Sequence, residues 1–217
     1  MSIREELAET VGTFTLVFIG AGAGALAAGN SGGGLVGVAL AHALALVVIV
    51  YAWGSISGAH VNPAVTFGLA LAGRFPWIGA VRYWIAQLLG AAAAGFLLRA
   101  LIGTQGNLGM TLPAPSVSTW QAIVVEAVLT FFLVTAVFGS AVAGRGGNAV
   151  GLAIGLVLGM DILMGGPLTG GSMNPARSFG PALAMGDFTD LYVYFVGPAI
   201  GGAVGALFYD RVFLRTP

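Results

Sequence analysis

Ser57-Gly58-Ala59-His60-Val61-Asn62-Pro63-Ala64-Val65-Thr66-Phe67-Gly68 returns, almost residue for residue, as Thr169-Gly170-Gly171-Ser172-Met173-Asn174-Pro175-Ala176-Arg177-Ser178-Phe179-Gly180. The two asparagines stand 112 positions apart. Asn is a preferred N-cap and Pro is favoured at the first helical position, so each Asn-Pro-Ala reads as the start of a helix. The runs that follow, 64–71 and 176–185, are too short to cross a bilayer, which takes about 20 apolar residues. Each is therefore read as a half-helix.

The surroundings of these motifs are apolar throughout. Of 217 residues 58% are hydrophobic and only 7% charged, too few to solvate a globular surface, where roughly a quarter is usual. A soluble fold is excluded. Six stretches are long enough to span a membrane, at roughly 7–28, 36–56, 80–101, 120–143, 148–165 and 190–210. They are separated by Asn30-Ser31-Gly32-Gly33-Gly34, Arg74-Phe75-Pro76, the segment 103–118, Gly144-Arg145-Gly146-Gly147 and the segment 187–190. Glu5, Glu6 and Glu9 spoil the basic start that a signal peptide would need, so the first stretch reads as a span.

Each Asn-Pro-Ala unit carries three spans. That odd number turns the second unit upside down relative to the first, and the half-helix N-termini then meet from opposite faces. Inverted repeats of this kind put their working site near the midplane, on discontinuous helices. The chain is read as one all-α transmembrane domain, residues 1–217, made of repeats at about 1–103 and 118–217 joined by an external loop at 103–118. Further pairs support the repeat: Glu9 and Thr13 with Glu126 and Thr130, and Tyr83, Gln87 and Gly90 with Tyr194, Pro198 and Gly201.

With an even number of spans, Arg4, Arg74, Arg82, Arg145, Arg211 and Arg215 fall on the side of the termini and Arg99 near the opposite surface, Arg177 standing apart beside the second motif. Both termini are therefore expected in the cytoplasm, with the cell membrane as the site of residence. Runs such as Gly90 to Gly95 and Gly201 to Gly205 predict close helix packing.

The paired loops, the Glu-x-x-x-Thr start of each half and Gly197-Pro198 in the last span resemble the aquaporins of the major intrinsic protein family over nearly the whole chain. The resemblance implies six spans, two half-helices, passive transport of water or small neutral solutes through the bilayer, and four chains assembled with one pore each. It implies that Asn62, Pro63, Ala64, Asn174, Pro175 and Ala176 form the pore centre. It also implies that Arg177 guards the outer constriction, that Glu9 and Glu126 hold the re-entrant loops, and that His60 lines the cytoplasmic half, with Gly58 and Gly170 supporting the loops.

By the same resemblance the constriction beside Arg177 is completed by the residues twenty before Asn62 and twelve and three before Asn174, which here are His42, Ile162 and Gly171. Together these four look like the filter of plant tonoplast aquaporins that pass ammonia as well as water. Gly171 is expected to leave the filter wide, and protonation of His42 between about pH 6 and 7 to add charge to its mouth. A glycerol or urea facilitator is the nearest alternative. Its members tend to carry an acid and a base where this chain has Ser178 and Ala182, and an apolar pair where it has Tyr194-Phe195.

If the Asn side-chain oxygens cap the half-helices, their amide NH2 groups are left to donate to a permeating water. Other chemistry is poorly supported. There is no Cys, and two His with scattered acids give no metal cluster. No nucleophile and base stand at catalytic spacing, so no enzyme and no cofactor are expected. The formal charge of zero gives no reason to expect nucleic acid. Glu9 and Glu126 could serve a proton-coupled transporter, the weaker rival. Asp161 is expected either to bond loop backbone near Arg177 or to face a neighbouring subunit.

Overall fold

The computed structural model describes residues 2–28 and 33–214. Asn30, Ser31 and Gly32 of the first expected break, and Arg215 of the arginine count, lie outside the described residues. Among the described residues there are eight α-helices: α1 (Ile3–Ala27), α2 (Gly34–Ser57), α3 (Pro63–Leu71), α4 (Trp77–Ile102), α5 (Thr119–Val137), α6 (Val150–Thr169), α7 (Pro175–Met185) and α8 (Val193–Tyr209). Six are long and apolar enough to cross a membrane, and α3 and α7 are the half-helices. The protein is a multi-pass membrane protein.

Span positions follow the sequence, and the ends differ where local bonds extend them. Helix α1 begins at Ile3 rather than near residue 7, because the Ser2 amide donates to the Glu5 carboxylate 3.2 Å away. Helix α6 continues past residue 165, where the span was expected to end, through Gly166 and Pro167, and stops at Gly170, whose φ of +84° only glycine adopts readily.

Backbone contact holds the bundle. Helix α1 packs on α2 and α4, and α5 on α6 and α8. A Cβ on Gly90 would come 2.2 Å from the Thr10 carbonyl oxygen, and one on Gly201 would come 2.0 Å from that of Ala127. Each half-helix uses the same device. Gly68 of α3 lies against the Gly202 backbone of α8, and Gly180 of α7 against that of Ala91 in α4. Dispersion and lipid release, rather than hydrophobicity, drive such association in a bilayer, so small residues at the crossings are what permit it.

The ends of the spans carry the ion pairs. Arg74 holds the buried Asp210 with two nitrogens at 2.7 Å, and Arg82 pairs with Glu6, all at the end where the chain starts and α8 finishes. At the other end, Arg99 donates to the Ala184 carbonyl at the close of α7.

Candidate functional site: the lumen and its two half-helices

Each Asn-Pro-Ala is built by a buried carboxylate. Glu126 Oε1 accepts from the Thr169 hydroxyl at 2.7 Å and the Ser172 amide at 2.9 Å, and its Oε2 accepts from the Met173 amide at 2.7 Å. Glu9 repeats the pattern with the Ser57 hydroxyl at 2.7 Å, the His60 amide at 2.9 Å and the Val61 amide at 2.7 Å. Irregular backbone at membrane depth must find partners inside the protein, and these acids supply them. The loops need holding. Val61 and Met173 sit at φ of +42° and +55°, a left-handed conformation that costs a non-glycine residue about 1–2 kcal/mol.

Tyr83, Gln87 and Tyr194, noted in the sequence only as repeat positions, complete the hold on these loops. Tyr83 and Tyr194 close the ends of α2 and α6 by donating to the Ser57 and Thr169 carbonyls, at 2.8 and 2.7 Å. Gln87 adds a fourth donor to Glu9 at 2.8 Å. The second half has Pro198 at the corresponding position, so Glu126 lacks that donor. The αL caps Gly58 and Gly170 are fixed from outside the turn as well. A Cβ would come 3.2 Å from the His60 ring at Gly58 and 3.0 Å from Thr111 at Gly170.

The capping expected from the sequence takes this form. Asn62 Oδ1 accepts from the Ala64 amide at 2.8 Å, and Asn174 Oδ1 from the Ala176 and Arg177 amides at 3.0 and 3.2 Å. The amide NH2 groups are not wholly free. Asn62 Nδ2 donates to the Met173 carbonyl and Asn174 Nδ2 to the Val61 carbonyl, both at 2.9 Å. The two loops are thus tied to each other across the contact, and each amide retains one N–H for a guest.

Both asparagines border a cavity of about 670 Å³. It is lined by the stripe His42, Leu46 and Val50 of α2 and by Leu158 and Ile154 of α6. His60, Arg74 and Asn148 line it towards the terminal side. His60 is wedged between Phe75 and Tyr83, with ring centroids 4.7 and 5.0 Å away, and its Nδ1 lies 3.1 Å from the Thr66 hydroxyl.

His42 and Arg177 close the far end. Arg177, only 4% exposed, donates from Nε to His42 Nε2 at 3.3 Å and from Nη1 to the Gly109 carbonyl at 2.7 Å. His42 Nδ1 faces the Val38 carbonyl at 2.9 Å. A guanidinium can only donate and a carbonyl only accept, so the ring carries its hydrogen on Nδ1 and is neutral. Protonating it would set two donors face to face, which corrects the expectation that His42 adds charge to the mouth.

Ile162 and Gly171 are buried beside this end and do not line the 670 Å³ cavity. The expectation that Gly171 simply leaves room in the lumen is also corrected. Its φ is +60°, and a Cβ there would approach Ile162 Cα and the Gly166 amide nitrogen at 3.3 Å. Glycine is needed for the turn and for close approach to α6. Asp161 is buried inside the chain at 1% exposure, so it does not face a neighbouring subunit, and its Oδ2 meets no hydrogen-bond partner.

Gly20 of α1 makes the space for His42, since a Cβ there would lie 2.4 Å from the ring. Gly20→Ala is expected to push the ring out of its bond with Arg177 and towards the lumen, an overpacking that typically costs about 1–3 kcal/mol. A lower unfolding temperature in detergent is the expected result. An unchanged one would mean that the ring has another place to go.

Spanning helices, two half-helices tied tip to tip, and a cavity closed by one buried arginine define a membrane protein built around a transverse lumen. The model of the major intrinsic protein family matches residues 1–209, and the chain belongs to that family. Aquaporin TIP2-1 of Arabidopsis thaliana is 50% identical over 167 residues, 74% of this chain and 65% of that protein. Aquaporin NIP1-1 of Zea mays is 43% identical over 213 residues, 97% of this chain and 75% of that one. The chain thus spans somewhat under two thirds of the length of the TIP2-1 relative. The X-ray structure of the aquaglyceroporin from Plasmodium falciparum superposes with a TM-score of 0.84 at 28% identity, covering 98% of this chain and 97% of that one.

Proposed function

We propose that this chain is a passive water channel that also passes ammonia and excludes protons and ions. The observation that carries the reading is the pair of capped asparagines, tied to each other's loops at 2.9 Å and bordering one lumen. A water between them accepts from both amides, so its hydrogens point away on either side. That breaks the run of like-oriented hydrogen bonds along which a proton would hop. The N-termini of α3 and α7 each add about half a positive charge at this point. Inverted repeats, about 1–103 and 118–217, account for both helix ends facing one spot.

Arg177 supplies a full charge at the narrow end. At ~4 Å and an effective dielectric near 20, a unit charge opposes a cation by about 4 kcal/mol, close to a thousandfold in rate. Arg177→Val is expected to keep the fold and to raise proton or ion leak in proteoliposomes. Unchanged leak would remove Arg177 from the barrier.

Ammonia as a second substrate rests on the likeness of His42, Ile162, Gly171 and Arg177 as a set to the filter of ammonia-passing tonoplast aquaporins; of these, His42 and Arg177 border the lumen, and Ile162 and Gly171 are buried. Glycerol or urea transport is the second reading, favoured by the similarity to an aquaglyceroporin structure. Stopped-flow light scattering on proteoliposomes tests the main one. Osmotic shrinkage faster than in empty vesicles, with a low activation energy, is expected, and no difference would overturn it. An internal pH jump under an ammonium gradient tests the second substrate, and His42→Phe should reduce ammonia relative to water.

By resemblance four chains assemble, which would cover part of the apolar outer face. Both termini lie on the cytoplasmic side in this reading. The cell membrane was the expected residence, and the likeness to plant tonoplast intrinsic proteins favours an internal membrane instead.

A further inference from the structure

Ser178 entered as a marker separating water-type from glycerol-type loops, and conduction gives it no role. It is 2% exposed on α7, directly after Arg177. Its hydroxyl lies 2.6 Å from that of Thr111 in the external loop and 2.6 Å from that of Ser172 in the second re-entrant loop. Both neighbours are buried, at 5% and 2%. Ser172 Oγ in turn lies 2.9 Å from the Asn174 carbonyl.

The direction of this chain follows from its last member. A carbonyl only accepts, so the Ser172 hydrogen is spent on Asn174. Ser172 must then accept from Ser178, and Ser178 from Thr111. Three hydroxyls run one way, from the external loop to the Asn-Pro-Ala.

Thr111 stands two residues after Gly109, whose carbonyl takes the Arg177 Nη1 hydrogen at 2.7 Å. The segment before it is a left-handed turn, with φ of +53°, +50°, +54° and +65° at Gly106, Asn107, Leu108 and Gly109. On one side it is seated against α1, where a Cβ on Gly106 or Gly109 would come 2.2 or 2.1 Å from the Ala25 or Ala21 carbonyl oxygen. On the other side the Thr111 hydroxyl is its tie to the second half-helix. A strained turn persists only where its surroundings over-determine it.

We propose that Thr111 and Ser178 are positioning residues for the outer constriction: their hydroxyl chain pins the external loop to α7 and so holds the Gly109 carbonyl on Arg177. The effect on selectivity rests on the reading of the lumen as a channel for water and small neutral solutes. Ser178→Asp, the glycerol-type residue, would accept from Thr111 but could not donate to Ser172 when ionised, so it cuts the chain at its centre.

The test compares Thr111→Val, which keeps the shape and loses the hydroxyl, with Thr111→Ser, which keeps the hydroxyl. In proteoliposomes Thr111→Val should raise the urea-to-water permeability ratio about threefold or more, the scale of one lost hydrogen bond, and Thr111→Ser should stay near wild type. Equal ratios for Thr111→Val and wild type, or an equal shift in both variants, would overturn the proposal. Ser178→Ala breaks the same bond from the other side and stands in if Thr111→Val does not fold.

Hydrogen exchange gives a readout independent of transport. The Met110 amide, bonded to the Asn107 carbonyl at 3.0 Å, should exchange slowly in wild type and at least about tenfold faster in Thr111→Val. Exchange at the rate of an open loop in wild type would sink the clamp. A wild-type protein that passes no water would overturn the functional reading alone, because the exchange measurement would still decide the clamp.

Discussion

Glu126→Leu is expected to abolish osmotic water flow and to yield little folded protein. The substitution leaves the Ser172 and Met173 amides without an acceptor and the Thr169 hydroxyl with only the Gly165 carbonyl at 3.4 Å. A buried donor left unsatisfied costs about 1–3 kcal/mol, so two cost several, a large share of the stability of a typical domain. The left-handed Met173 then has nothing to hold it, and Asn62 loses the carbonyl it is tied to. Glu126→Gln should fall between wild type and Leu. Its oxygen still serves Thr169 and Ser172, but its NH2 faces the Met173 amide, donor against donor. Yield of monodisperse protein, thermal unfolding in detergent and vesicle shrinkage check the order wild type, Gln, Leu. A Gln variant as damaged as Leu would mean that the charge, rather than the geometry of acceptance, is what matters.

Gly201→Val is the second severe change, and it acts through packing alone. Its Cβ would stand 2.0 Å from the Ala127 carbonyl oxygen and 2.9 Å from Thr130 Cβ, so α5 and α8 must separate by more than 1 Å. Overpacking a close contact costs about 1–3 kcal/mol where side chains can move, and here the obstacle is backbone. The expected result is a fall of the unfolding midpoint large enough to prevent purification at room temperature. Gly90→Val, at the matching α1–α4 crossing, should behave alike. Gly54→Ala is the control: the nearest atom to its Cβ is a Val50 methyl at 3.8 Å, so stability should hold or rise slightly. If Gly201→Val and Gly54→Ala unfold together, close approach at the crossing is not what holds the bundle.

The helix starts of the half-helices were legible because capping is local: Asn62 and Asn174 bond amides two and three residues on. The spans were legible because hydrocarbon admits little else, although the fifth runs on to Thr169 rather than ending near residue 165. Gly20, Gly109 and Thr111 gave no signal. Each acts by touching a residue far along the chain, His42, Arg177 and Ser178 respectively. Gly171 was assigned to the lumen by resemblance, counting from a motif, but counting gives a position along the chain and not the direction in which a Cβ would point.

By itself the sequence determined that this chain lives in lipid, crosses it six times, and carries two capped half-helices at matching places. Those follow from composition, length and neighbours within four residues, which is the range over which a one-dimensional pattern holds physical information. The tertiary structure decided what the half-helices do to each other. It brought Asn62 to the Met173 carbonyl and Asn174 to the Val61 carbonyl, turned His42 into a neutral acceptor for Arg177, and tied the external loop to α7 through Ser178. Hydrogen bonds are directional and reach about 3 Å, so only the packed backbone, brought close by glycine at its crossings, could say which donor meets which acceptor.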